Sequence, residues 1–358
     1  MDLAGLPPDA RCLINRHSKT DKENETDRLI EILAKIPETV EIYKRHNIDD
    51  RILRDTLSDI GVWVKNCRRD RGVWGLDDLG CSWLAFHVKG LLFKIGRIQC
   101  QPGVLDWNIR VFRNTADGRV VVLPDKDERY NGDGQVSGTN DIVDTDNGYT
   151  GFSRDLLVGG VRYVEGTVIP PLGHAENIRI RLDTRIWAEV LSKGAHVLFL
   201  HIPQDEKFTP DVCKTSFISM KSFAQTRHAA LCELSNMKTY AFNPFVSLAL
   251  GSWLLDAQLD GLLPPEANLV KFLREFYLFP VFSREGAAIW RVFGKGAFDP
   301  FNPTPEQTKT SLQRAIIEFK KKGGKMRNNY GFILFDDIDD YGSQKYRSNF
   351  YIQDIRIT

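Results

Sequence analysis

The sequence predicts an α+β protein, and three observations carry the prediction. Apolar residues recur at helical spacing to about residue 90, and at Gly90 the pattern switches to period two in β-forming residues. In the C-terminal half, strand-like and helix-like runs alternate. At 358 residues the chain exceeds one ordinary core and suits two domains, or one domain with a large insertion.

The elements follow in order. After a polar leader, DRLIEILAKIP places Leu29, Ile30, Ile32, Leu33 and Ile36 on a helical face that Pro37 ends or kinks. DDRILRDTLSDIGVWV continues in helical style with Asp49 or Asp50 as N-cap, and GLDDLGCSWLAFHVKG reads as the last helix of this region. LLFKIGRIQC, WNIRVFRN and RVVVLP then read as a β-meander. Residues 125–155, rich in Gly, Asp and Asn, read as a long exposed excursion in which DTDNGYTG lacks the closing acid of a calcium loop. VRYVEGTVIPP and NIRIRLDTRIWAEVL give further strands before VLFLHIP, a buried strand. Thr209 and Pro210 open a helix, TYAFNPFVSLALG and AAIWRVFG are strand-like, and Thr304-Pro305-Glu306-Gln307 is a capping box for a helix running to Lys322. YGFILFDDI is a last strand, and the tail to Thr358 is a hairpin strand or a loose end.

Composition excludes several classes of function. Lys plus Arg (48) nearly cancels Asp plus Glu (47), so no broad cationic surface for nucleic acid is expected. There is no signal-peptide pattern and no stretch of ~18 apolar residues, so the expectation is a cytoplasmic protein with no membrane partner. Six scattered cysteines without a Cys-x-x-Cys pair read as buried free thiols, with no metal site.

Chemistry concentrates at FLHIPQDEKFTPDVCKTSF, residues 199–217. A strand feeding a helix start directs backbone N–H groups and partial positive charge at one spot, which favours an anion. A rival phosphate loop, Arg291 to Ala297, is cut off from the next helix start by FDPFNPTPEQ. Cys213 and Ser216 lie near His201 in sequence, which allows a nucleophile reading, although no strand-turn-helix elbow accompanies them.

The stretches IDDRILRDTLSDIGVWV, KGLLFKIGRIQ, LHIPQDEKFTPDVCKTSF, SWLLDAQLDGLLPPEANLVKF and TKTSLQRAI together resemble a bacterial acyltransferase-like family. That family joins an N-acyltransferase N-terminal domain to a GNAT-like C-terminal domain. The resemblance implies a leader over 1–25, a helical domain over 26–90, and a GNAT-like mixed sheet flanked by helices over 91–358, with a β-rich insertion at about 101–190. It further implies acyl-CoA or acetyl-CoA as co-substrate and a small-molecule amine acceptor, the acyl group passing directly in a ternary complex. By location, His201 or Asp256 is the candidate base or water-holder and Ser252 the candidate donor toward the thiolate. Gln204, Lys207, Thr209 and Asp211 are the candidates at the phosphate seat. The family often carries Cys-His directly before Ser-Trp, where this chain has Leu250-Gly251. A second expectation, from Asp205, Glu206 and that missing histidine, is a catalytically silent module whose insertion holds a carbohydrate, peptide or protein partner.

Overall fold

The computed structural model describes residues 21–203, 208–237, 244–294, 296 and 298–357. The described residues open with five helices, α1 (Asp21–Ala34), α2 (Ile36–Arg45), α3 (Asp50–Leu57), α4 (Asp59–Arg71) and α5 (Asp78–Val88). Strands β1 (Phe93–Ile95), β2 (Ile98–Val104), β3 (Ile109–Asn114), β4 (Val120–Pro124), β5 (Glu128–Tyr130), β6 (Tyr149–Gly151), β7 (Ser153–Val158), β8 (Val161–Thr167), β9 (Arg179–Asp183), β10 (Trp187–Ser192) and β11 (His196–His201) follow. The remainder alternates: α6 (Pro210–Thr226), α7 (His228–Leu234), β12 (Phe245–Ser252), α8 (Leu259–Leu262), α9 (Asn268–Arg274), β13 (Tyr277–Pro280), α10 (Gly286–Phe293), α11 (Ser311–Lys321), β14 (Asn329–Leu334) and α12 (Lys345–Ser348). The class is α+β, with a helical N-terminal region followed by sheet and helix, as the sequence predicts. No helix among the described residues is long and apolar enough to cross a membrane.

The chain forms two compact units. The first comprises Met1–Gly103, Leu198–Lys207 and Thr215–Phe245. Its helices start where the sequence supplies caps: Asp49 accepts from Arg51 N at 2.6 Å and Asp77 from Gly80 N at 2.8 Å. Each cap stabilises its helix by ~1 kcal/mol. Pro37 sits in the first turn of α2, where its missing N–H costs no helical bond, so the chain breaks before it. Ile32, Ile60, Leu76, Cys81, Leu84 and Val88 form a core, and α5 is buried from Gly80 to Val88 because its sequence is apolar all round. LLFKIGRIQC is not one strand but a hairpin that pairs Phe93 with Cys100 and Ile95 with Ile98. Strand β11 stands beside β2.

The second unit comprises Val104–Val197, Phe208–Lys214 and Val246–Thr358. The expected β-rich insertion forms two antiparallel three-stranded sheets, β10-β3-β4 and β7-β8-β9. Phe112, Leu123, Val164, Ile180, Leu182 and Trp187 form their core. The C-terminal tail is no loose end, since Phe350, Ile352 and Ile355 pack into this core and Arg356 bridges Ile180. Nor are residues 125–155 merely an exposed excursion: β5 pairs with β6, and Asn131, Gln135, Thr139 and Asn140 are buried. The same unit holds β12-β14-β13, antiparallel throughout, with Tyr277 stacked on Phe332.

Two further expectations are corrected. AAIWRVFG is helical (α10) rather than a strand, a short apolar run being readable either way. The Thr304 capping box opens only a single 3₁₀ turn, and a second box, Thr310 with Gln313, starts α11. Five of the six cysteines are buried and in no disulfide, while Cys12 lies outside the described residues.

Candidate active site

In the first unit, His201 ends β11 and is half-buried. Its Nε2 lies 3.2 Å from Gln101 Oε1, and its ring meets Trp83 edge-on at 4.8 Å. An amide oxygen only accepts, so Nε2 carries the proton and a neutral ring leaves its lone pair on Nδ1. Burial, and then the neighbouring His87, push the imidazole down to about 4, so it is neutral at pH 7.

Behind Trp83 stands a charge cluster built on Asp59, in the first turn of α4. Asp59 Oδ2 accepts from the indole N–H groups of Trp63 and Trp83, both at 3.2 Å, and lies 3.0 Å from His87 Nε2. Gln99 also bonds to Asp59, and its Nε2 is 3.2 Å from His87 Nε2. His87 Nδ1 is 3.2 Å from the Trp83 carbonyl, which can only accept. Nδ1 therefore donates, and Nε2 is the nitrogen that faces both the Asp59 carboxylate and the Gln99 amide. Burial alone would raise Asp59, but the bonds from His87, Gln99 and Trp83 hold it below the usual carboxylate range. Reasoning from sequence missed this cluster. Its signal is a histidine and a tryptophan one turn apart, Trp83 and His87, in a helix with no polar face.

In the second unit, Ser252 ends β12 and accepts from Leu254 N at 3.1 Å, leaving its hydroxyl proton to donate elsewhere. Asp256, four residues on, is fully buried. Its oxygens accept from Gln258 N, Gln258 Nε2 and Arg327 N at 2.7–3.2 Å. Burial outweighs these neutral donors and pushes its carboxyl up to about 6. Ser252 and Asp256 thus lie close in sequence, but among the described residues the hydrogen bonds of the Asp256 carboxylate tie this turn to itself and to the segment entering β14.

Gly251 faces Tyr330: a Cβ built there would come within 2.5 Å of the tyrosine ring. The ring, 4.8 Å from that of Trp107, occupies the space a histidine at 251 would need. Of the phosphate-seat residues, Thr209 precedes Pro210, the first residue of the seventeen-residue α6, and Asp211 is exposed in its first turn. Gln204 and Lys207 lie outside the described residues. Cys213 is fully buried and bonded to Tyr341, which closes its thiol to solvent. Arg291, of the rival phosphate loop, lies on α10 with its guanidinium over the Trp290 ring.

No curated protein is detectably similar to the chain. Solved structures share its fold. An acyltransferase in complex with decanoyl-CoA and teicoplanin aligns with a TM-score of 0.55 at 16% identity, covering 87% of this chain and 67% of that one. An acyltransferase mutant in complex with octanoyl-CoA aligns with a TM-score of 0.54 at 15% identity, with the same coverage. The domain family described as the N-acyltransferase N-terminal domain matches residues 6–90, and the one described as the GNAT-like C-terminal domain matches residues 92–333. Matched in both halves and over most of its length, the chain belongs to the family that joins an N-acyltransferase N-terminal domain to a GNAT-like C-terminal domain.

Proposed function

We propose that the protein is an acyl-CoA-dependent N-acyltransferase that moves an acyl group to the amine of a small acceptor within a ternary complex, its domains dividing near residue 90. The observation that carries this reading is the GNAT-like domain over residues 92–333. It is supported by solved acyltransferases of the same fold bound to decanoyl-CoA and octanoyl-CoA.

In this reading Thr209 and the backbone amides of 204–211, with Lys207, hold the phosphates at the start of α6. The dipole of this seventeen-residue helix directs its positive end there, although the exposed Asp211 opposes an anion. The thioester supplies the activated acyl group. His201 serves as water-holder or hydrogen-bond acceptor through Nδ1. A base whose acidity sits at about 4 stores no proton at pH 7, but its lone pair is always available. Asp256 lies nearer to neutrality, yet its full burial suits holding the 256–258 turn that follows Ser252, the donor toward the thiolate.

The test is calorimetric titration with acetyl-CoA, octanoyl-CoA and decanoyl-CoA, followed by amine-acceptor screening. Micromolar binding lost in Lys207→Glu is the expected result, and His201→Ala should lower kcat at unchanged acyl-CoA affinity. No heat from any of the three with folded protein would sink this reading. It would favour the silent module, a reading supported by Asp205 and Glu206 in the loop and by Gly251 where the family often has histidine.

A further inference from the structure

Residues 125–155 carry both Asn-Gly pairs of the chain, Asn131-Gly132 and Asn147-Gly148, and the fold treats them oppositely. Asparagine before glycine is a reactive junction, because glycine has no Cβ to keep the asparagine side chain away from the following backbone nitrogen. Reaction requires an amide side chain that can turn and a following N–H that is not held.

Asn131 meets neither requirement. It is 4% exposed, its Nδ2 donates to Ile142 O at 3.2 Å, and its Oδ1 accepts from Asp144 N at 3.3 Å. The Gly132 N–H is held as well, donating to Asp144 Oδ2 at 3.0 Å. Asn147 differs at each point. Its side chain is exposed and makes no hydrogen bond among the described residues, only its backbone N–H being tied, to Asp144 Oδ1 at 2.9 Å. The Gly148 N–H has no acceptor among the described residues. One residue, Asp144, thus closes the first pair and leaves the second open.

We propose that Asn147 is a site of spontaneous conversion to aspartate and isoaspartate, and that Asp144 protects Asn131 from the same reaction. The Gly148 nitrogen gives up its proton to solvent and bonds to Asn147 Cγ, closing a cyclic imide as Asn147 Nδ2 leaves as ammonia. Water then opens the ring. Cleavage at Cγ yields aspartate, and cleavage at the main-chain carbonyl yields isoaspartate, which carries one more carbon in the backbone. That carbon enters where space is short: a Cβ built on Gly148 would lie 2.5 Å from Asp144 O and 3.0 Å from Tyr130 O. Tyr149, the next residue, pairs with Tyr130, so isoaspartate loosens the β5–β6 ladder.

The proposal is independent of acyl transfer and needs no activity to test. The full chain is incubated at mildly alkaline pH, folded and in urea, and peptide mapping by mass spectrometry follows both asparagines. In the folded chain Asn147 should convert at least ~tenfold faster than Asn131, which reacts only through local opening. In urea the two rates should converge, and Asp144→Ala should speed conversion of Asn131 in the folded chain. Hydrogen exchange across 128–151 should be faster in the isoaspartate form than in unconverted protein. An Asn147 as slow as Asn131 in folded protein, or a difference that persists in urea, would overturn the proposal. An unchanged Asn131 rate in Asp144→Ala would overturn the protection by Asp144, and unchanged exchange would overturn the link to the ladder.

Discussion

Asp59 and Asp256 are both buried carboxylates, 3% and 0% exposed, and their acidities move in opposite directions. The difference lies in the donors. Asp59 is bonded by His87, Gln99 and the Trp83 indole, and these bonds favour its charged form against burial. Asp256 receives only amide donors, and burial prevails. The acidity of a buried carboxylate thus follows from the side chains that bond to it as much as from its depth.

The largest effect should come from Asp59→Ala, which leaves His87 and two indole N–H groups without their acceptor. A loss of ~3–5 kcal/mol is expected from buried donors left unpaired, read from urea denaturation, and a loss below about 1 would refute that these bonds hold the fold. Next is pH dependence. A carboxyl whose acidity is weaker folded than unfolded binds its proton more tightly in the native state. The stability Asp256 gains from this is complete below its unfolded value near 3.8 and is lost as pH rises through about 6, about 3 kcal/mol in all. Asp256→Asn should abolish that decline, whatever its net stability, and an unchanged slope would exclude Asp256 as its source. Asp59 has the opposite sign: its contribution is present above the unfolded value and is lost as pH falls through its lowered folded value. Gly251→Ala should cost ~1–3 kcal/mol against the Tyr330 ring and much less in a Tyr330→Ala background, a coupling that thermal melts of the four proteins would measure. The smallest effect is Lys44→Ala, which breaks an exposed pair with Glu41 at 3.0 Å and should fall within ~0.5 kcal/mol.

The helical half was legible because its signals are local. Asp49 does cap α3, and Leu29, Ile32 and Ile36 of the expected face do meet a core, whereas Ile30 and Leu33 are exposed because five apolar residues within eight span more than one face. AAIWRVFG was misread because eight residues with no capping signal fit a strand or a helix equally, and only tertiary packing decides. The order within 125–155 was hidden for another reason: Asn131 and Asn140 are held by bonds to Ile142 O and to Met326 O, and the latter partner is remote in sequence. His201 and the 209–211 helix start could be singled out from strand and cap patterns. The Asp59–His87 pair could not, because a helix start and a distant helix meet only in the folded chain.

The interlock between Gly251 and Tyr330 also constrains the order in which substitutions can accumulate. A histidine introduced at 251 while the ring is in place meets a filled space. A chain that shrinks residue 330 first passes through an intermediate with a hole and then accepts the histidine. Each state is therefore guarded by the other residue, and reaching histidine from this sequence requires at least two changes, with the tyrosine replaced first.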